Sequence, residues 1–214
     1  MTLSPAFLLR NAILEGLDPH LAELGFKRRK GFFTWKRHPF TGVVQCIHLN
    51  FGPTRRAIVL GIIPSFGAGF EAVGRELAAA FGLKQTANEA CDFGYHLDAL
   101  LGCEYFAYVD QGAAPMVSRL LADIQRHCLP RLERLSSLET VATLMLSPEP
   151  GDWPVTWSSM RARLIPLVLA LLGRTKEAHD WLGRLRADLN GHDQVRPDIE
   201  HFSLWFVERF GQAA

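Results

Sequence analysis

Two histidines and the polar residues near them are the side chains of this sequence best suited to acid–base or metal chemistry. Cys46, His48 and Asn50 alternate along one predicted strand, so they project from the same face. His96 has an aspartate four residues before it and another two residues after it. If the two segments meet, His48, Asn50 and His96 would form a polar site able to transfer protons. The alternative is that each histidine is an ordinary half-exposed or core residue.

A pair of glycines between a predicted strand and a predicted helix has the letters of a dinucleotide-binding motif. Residues 67–72 match G-x-G-x-x-A, but three residues separate the apolar strand from Gly67, and residues 86–92 do not resemble a second strand ending in an acid. The motif around Ser65, two residues before Gly67, lacks the first glycine of a nucleophile elbow. We interpret this segment as a glycine-rich turn and expect neither cofactor nor metal.

A basic and aromatic hairpin near the N-terminus is the strongest candidate for a binding surface. Residues 1–66 hold nine Lys or Arg and three Asp or Glu, a net charge of +6, which leaves −5 for the rest of the chain. The cations suit phosphates and the rings suit stacked bases, but the same residues suit an acidic protein, and solvated hairpin ends are a third alternative. The residues of this predicted surface are Lys27, Arg28, Arg29, Lys30, Phe32, Trp35, Lys36, Arg37, Arg55 and Arg56.

The hydrophobic pattern predicts a helix followed by a sheet. Ser4 and Pro5 begin a helix that we expect to kink or restart at Asp18-Pro19 and to end at Gly25. A period of two then predicts strands from residue 32, over 43–51, over 57–63 and over 103–109. The first three should form an antiparallel meander, with 57–63 inside the sheet and covered on both faces, because it is apolar throughout.

Helical patterns dominate the rest of the chain. One helix is predicted from Phe70, and another over 113–129 that ends at Pro130. The Pro-rich segment 147–154 predicts a boundary, with an α+β domain over 1–147 and a three-helix extension over 148–214. The last three helices are predicted over 158–172 with a proline break, 175–189 and 197–210, with Trp181, Trp205 and Phe202 in one core.

Several of these segments together resemble an uncharacterised bacterial family, domain of unknown function 4304. The resemblance covers about residues 17–141 and rests on Leu24-Gly25-Phe26-Lys27-Arg28, on Phe32-Phe33-Thr34-Trp35, on the meander through Ile63 and on Cys128-Leu129-Pro130-Arg131-Leu132-Glu133. It implies an α+β fold of about four antiparallel strands packed with helices. The family has no established catalytic residues to transfer.

Composition restricts the protein class more than the function. The chain has 214 residues, 48% of them hydrophobic, which is enough for a core without disulfide or metal staples. Its longest apolar run is too short to span a bilayer, and it shows no secretory signal, so we expect a cytoplasmic protein without membrane contact. The four cysteines lack metal-site or redox spacing and are interpreted as small buried hydrophobic residues.

Three functional hypotheses remain open from the sequence. The first is a non-enzymatic binding or adaptor protein that engages another protein, by analogy with immunity proteins that plug a toxin. The second is a nucleic-acid-binding module that uses the basic and aromatic hairpin. The third is an enzyme with a site near His48 and His96.

Overall fold

The computed structural model describes residues 4–52, 58–83, 91–154, 158–188 and 196–211. The chain forms two compact units. Unit 1 comprises Met1–Ala68 and Gly94–Arg134, and unit 2 comprises Gly69–Phe93 and Leu135–Ala214. The domain limits at 147 and 148 stay a prediction, because compactness alone does not show that a segment folds independently.

Unit 1 begins with helix α1, Pro5–Glu23. The Ser4 hydroxyl accepts a hydrogen bond from the backbone N–H of Phe7 at 3.3 Å, and Pro5 fits the first helical position. The predicted restart at Asp18-Pro19 is wrong, because α1 continues through Pro19. Burial of apolar side chains on both sides of Pro19 compensates for the one backbone hydrogen bond that the proline removes. These side chains are Leu9, Ile13, Leu14, Leu17 and Leu21.

An antiparallel sheet of six strands follows, and it confirms the predicted α+β class. The strands are β1 (Lys27–Arg28), β2 (Thr34–Phe40), β3 (Val43–Gly52), β4 (Val59–Phe70), β5 (Phe93–His96) and β6 (Tyr105–Tyr108). Their order is β1-β2-β3-β4-β5, and β6 pairs with the beginning of β4. The predicted meander order is therefore confirmed, with β4 inside the sheet.

The prediction that this inner strand is covered on both faces is wrong. Leu60 and Ile62 are 5% and 3% exposed, but Ile63 is 40% exposed. Val59 and Gly61 on the same face as Ile63 are half-buried. One face of the first half of β4 thus packs into the core while the other stays partly open, although its side chains are apolar.

The long helix of unit 1 does not end at Pro130 as predicted. Helix α3 (Leu97–Leu101) precedes β6, and α4 (Ala114–Asp123) then continues through a π-helical segment, Ile124–Cys128, into α5 (Leu129–Arg134). A proline clashes with the carbonyl four residues earlier and donates no hydrogen bond to it. The wider π turn before Pro130 accommodates both effects, so the helix continues.

Unit 2 is built from helices α2 (Glu71–Ala80), α6 (Leu138–Leu146), α7 (Ser158–Leu171), α8 (Thr175–Asp188) and α9 (Arg196–Phe210). Helix α7 packs against the other four. It also runs through Pro166, so the predicted break there is wrong. The three predicted C-terminal helices are present; Leu189, at the predicted end of the second, lies outside the described residues.

The core of unit 2 differs in part from the predicted aromatic cluster. Phe202 and Phe206 are fully buried, with ring centroids 5.9 Å apart. Trp205 contacts Phe202 at 5.6 Å but is only half-buried, as is Trp181. The phenylalanines of α9 therefore form the centre of this core.

The cysteines are of two kinds. Cys46 and Cys91 are each disulfide-bonded, so the interpretation of all four cysteines as small buried hydrophobic residues is wrong for these two. Cys128 is a buried free thiol and Cys103 a half-buried one. Burial raises the pKa of the Cys128 thiol.

None of the described helices is both long and apolar enough to cross a bilayer.

Candidate binding surface

Successive residues of β1 and β2 point to opposite faces of the sheet, so only part of the predicted basic surface reaches solvent. Arg28 points toward α1, where its Nε donates to Asp18 Oδ1 at 2.9 Å and a second guanidinium nitrogen forms an ion pair with Oδ2. The Arg28 side chain is 12% exposed. Burial alone would raise the pKa of Asp18, but the hydrogen bonds from Arg28 and Trp35 lower it below its usual value. Arg28 therefore holds β1 against α1.

Trp35 and Arg37 also point inward. Trp35 is 1% exposed and its indole N–H donates to Asp18 Oδ1 at 2.7 Å. Arg37 donates to the side chain of Gln45 at 2.8 Å and to the carbonyl oxygen of Leu24 at 3.1 Å. Neither Trp35 nor the Arg37 guanidinium is thus open to a ligand in the way the sequence predicted.

Other residues of the predicted surface do reach solvent. Lys27, Arg29 and Lys30 are exposed, and the Arg29 guanidinium lies 5.2 Å from the centre of the Phe32 ring, which is 52% exposed. Lys36 is half-buried and has contacts of its own. Arg55 and Arg56 lie outside the described residues.

A second group of exposed side chains lies on the sheet itself. Tyr108 pairs with Val59 and Phe106 with Gly61 across β6 and β4, and the Phe106 ring lies over Gly61, 3.6 Å from where a Cβ would stand. Phe106 and Tyr108 are 44% and 41% exposed. Their sequence neighbours Tyr105 and Ala107 are buried on the opposite face. The two rings and Ile63 thus form an apolar patch open to solvent.

On β2 and β3, polar side chains occupy the positions that alternate with the buried Trp35, Ile47 and Leu49. Thr34 pairs with His48, and both are half-buried, while Asn50 two residues farther along β3 is exposed. Lys27 pairs with Lys36 at the edge of the sheet. We call the combined surface the open face: Thr34, His48, Asn50, Ile63, Phe106 and Tyr108, with Lys27 and Lys36 toward the β1 edge.

The charge of the sheet has one sign. The six strands contain four Lys or Arg and no Asp or Glu. Unit 1 as a whole holds thirteen Lys or Arg and eight Asp or Glu, a net charge of +5, which leaves −4 for unit 2 out of the total of +1. A negatively charged partner would therefore be attracted to unit 1 and repelled by unit 2.

The candidate polar site is only partly assembled. His48 Nδ1 lies 2.6 Å from the Thr34 hydroxyl and Nε2 lies 2.8 Å from the Asn50 side-chain oxygen. The amide oxygen can only accept, so Nε2 donates the hydrogen bond to Asn50. Both ring nitrogens are then occupied within the protein. His96 is exposed at the end of β5, and among the described residues no hydrogen bond or ion pair joins it to His48 or Asn50.

Two further features limit the chemistry of this surface. Gly67 and Gly69 lie inside β4 rather than in a turn before a helix, so they cannot cradle a pyrophosphate as a dinucleotide motif does. In the described part of the chain, no three His, Cys, Asp or Glu side chains lie close enough together to hold a metal ion.

Ile63, Phe106 and Tyr108 were not predicted as binding residues from the sequence. The signal was present in Tyr105-Phe106-Ala107-Tyr108, where large residues occupy both faces of a short strand, so one face must expose rings unless another layer covers it. No family model matches the chain, and no significant match was found among curated proteins or solved structures. The resemblance to domain of unknown function 4304 accordingly stays a prediction.

Proposed function

We propose that this chain is a non-enzymatic binding protein and that its open face engages an acidic surface of another protein. The observation that carries the proposal is the exposed patch of Ile63, Phe106 and Tyr108 on strands that contain no carboxylate. Exposed aromatic and aliphatic side chains in one patch are typical of protein interfaces, where rings provide most of the affinity. The positive charge of unit 1 adds attraction for an acidic partner.

A nucleic acid is the second candidate, because rings on a sheet beside cations suit stacked bases. Two observations make it the weaker one. Arg28 and Arg37 make their hydrogen bonds within the protein, which removes two of the cations predicted to contact phosphates. Ile63 is also part of the exposed patch, and an aliphatic side chain offers no stacking surface for a base.

The proposal is tested by paired surface variants. Purification from cells that express the protein would compare the wild type, a Phe106→Ser/Tyr108→Ser variant, and a Leu204→Ser control that alters a 69% exposed residue of unit 2. The partner recovered with wild type and control would then be purified and titrated directly. We expect the double variant to weaken binding by at least about tenfold, as removal of central anchors does. Equal affinity for all three forms would contradict the proposal.

A parallel titration addresses the second candidate. A labelled single-stranded oligonucleotide would be titrated at several salt concentrations. Affinity that falls linearly with log salt, and that Phe106→Ser/Tyr108→Ser removes, would replace the protein partner with a nucleic acid. The same open face would remain the binding surface in that case.

A further inference from the structure

Strand β6 forms an edge of the sheet beside the open face. Among the described residues, β6 pairs with β4 and with no other strand. The backbone N–H of Val109, one residue past β6, donates to the carbonyl oxygen of Ile58 at 3.0 Å. Hydrogen-bonded positions alternate along an antiparallel pair, so the N–H and C=O groups of Ala107 also face β4. The backbone groups of Phe106 and Tyr108 therefore point away from β4, toward the free side of the edge.

The two residues with outward backbone groups are also the two with exposed rings. Phe106 and Tyr108 are 44% and 41% exposed. A strand added to a sheet edge bonds to every second residue of that edge and places its own alternate side chains beside theirs. The β6 edge thus offers backbone hydrogen bonds and apolar side-chain contact at the same two positions.

Exposed carboxylates flank these two positions. Glu104 lies two residues before Phe106, Asp110 lies two residues after Tyr108, and both acids are exposed. In the described part of the chain, neither forms an ion pair. Charges that face each other across paired strands stabilise the pair when their signs differ and destabilise it when they match. The edge therefore favours a segment with a cation at each end.

The same carboxylates disfavour a second copy of this chain as the added strand. If two β6 strands paired antiparallel about Ala107, each Phe106 would lie opposite a Tyr108 and each Glu104 opposite an Asp110. Carboxylate would then face carboxylate at both ends of the pair. Charged residues at an exposed edge are a known defence against such self-pairing. The occupant is accordingly a different sequence.

We propose that β6 takes up an extended segment of a partner protein as an additional antiparallel strand. The segment would place apolar side chains beside Phe106 and Tyr108, and a Lys or Arg toward each of Glu104 and Asp110. This inference rests on the proposed function, since the segment would belong to the protein that binds the open face.

The charges of the two contacts are compatible. Lys27 and Lys36 lie at the β1 edge, whereas β6 lies at the other edge of the sheet. An acidic surface and a cation-flanked segment of one partner would thus contact opposite edges.

The probe for this edge is an acetylated and amidated peptide, Lys-Thr-Val-Thr-Val-Thr-Lys. In antiparallel register its two valines lie opposite Phe106 and Tyr108, and its lysines face Glu104 and Asp110. The valine N–H groups then point toward β6 and the threonine N–H groups point away from it. N-methylation of both valines blocks the pairing, and N-methylation of two threonines is the matched control.

NMR titrations of the isotope-labelled wild type measure the affinity and locate the contact. We expect the valine-methylated peptide to bind at least about tenfold more weakly than the unmodified one, and the threonine-methylated peptide to stay within about threefold of it. The amide signals of Phe106 and Tyr108 should shift, and their hydrogen exchange should slow, because these N–H groups gain partners. Replacement of both lysines by glutamate should weaken binding by at least about threefold.

Three results would overturn the inference. The first is equal binding of the two methylated peptides, or no binding of the unmodified one. The second is equal affinity for the lysine and glutamate peptides. The third is a concentration-dependent dimer of the protein alone in which the Phe106 and Tyr108 amides are protected, which would assign the edge to a second copy. None of them decides the proposed function, which stands or falls with the partner titration of Phe106→Ser/Tyr108→Ser.

Discussion

Replacement of Asp18 by alanine would remove one carboxylate on which two inward-pointing side chains of the sheet depend. Its oxygens accept from Arg28 Nε at 2.9 Å and from the Trp35 indole at 2.7 Å. Trp35 is 1% exposed, so its N–H would be left without a partner at a cost of about 1–3 kcal/mol. The Arg28 guanidinium is partly solvated and would keep its hydrogen bond to the carbonyl oxygen of Phe32, at 3.1 Å. Loss of its contact with Asp18 should therefore cost only about 1 kcal/mol.

We therefore expect Asp18→Ala to lower the free energy of unfolding by about 2–4 kcal/mol. Equilibrium urea unfolding, followed by circular dichroism and tryptophan fluorescence, measures this change. The pKa of Asp18 is lowered in the fold, so its contribution is present above the ordinary value of 3.8 and is lost as the pH falls through the lower folded pKa. The difference between variant and wild type should accordingly shrink below about pH 4.

Glu177→Ala is the matched control for Asp18→Ala. Glu177 also accepts two hydrogen bonds from one arginine, Arg174, at 2.8 and 2.6 Å, but that pair lies in solvent. Its removal should leave unfolding unchanged within error, since exposed ion pairs contribute little. If Asp18→Ala unfolds like Glu177→Ala and the wild type, the structural role assigned to Asp18 is wrong.

Three further predictions concern the same two units. Arg29→Glu should change the free energy of unfolding, measured by urea titration, by less than about 0.5 kcal/mol, because Arg29 is exposed. Arg28→Glu should lower it by about 3–5 kcal/mol, because the new carboxylate would face Asp18. Equal effects would contradict the inward position of Arg28. Burial raises the pKa of Asp92 from 3.8 to about 6, so the stability of the wild type should fall as the pH rises between those values. Asp92→Asn should therefore be more stable than the wild type by up to about 3 kcal/mol at pH 8, and equally stable below pH 4. A constant difference from pH 4 to 8 would rule this out. Phe206→Ala should lower the free energy of unfolding by about 3–5 kcal/mol, because Phe206 is fully buried. Trp205→Ala should lower it by clearly less, because Trp205 is only half-buried. Urea titrations of both variants measure the two changes.

The sequence predicted elements well where a local signal was strong. Ser4-Pro5 and Gly25 delimit α1, and a period of two located β2 and β3. The prolines were overestimated as helix breakers. Pro19, Pro130 and Pro166 all lie within continuous helical segments, because burial of the surrounding apolar residues or a local π turn compensates for the lost hydrogen bond.

The candidate surface depended more on tertiary structure. The sequence showed a cluster of cations and rings in residues 27–37, but only pairing with α1 determined which of them point inward. Arg28 and Trp35 are adjacent across β1 and β2 and share Asp18, while Lys27 and Lys36 occupy the other face. A shift of register by one residue would exchange the two sets, and no local pattern of charges determines that register.

The exposure of the Phe106 and Tyr108 rings also depends on tertiary structure. Hydrophobicity along β4 predicts two buried faces, and the residues of β6 would suit either a covered or an open sheet. Whether Ile63, Phe106 and Tyr108 reach solvent depends on which layers pack on the sheet, and that is decided by contacts between residues far apart in the chain. The sequence by itself thus determined the elements with strong local signals, the α+β class and the excess of cations in residues 1–66, because these follow from local periodicity and composition. Only the tertiary structure decided which side chains of those elements remain available to a partner.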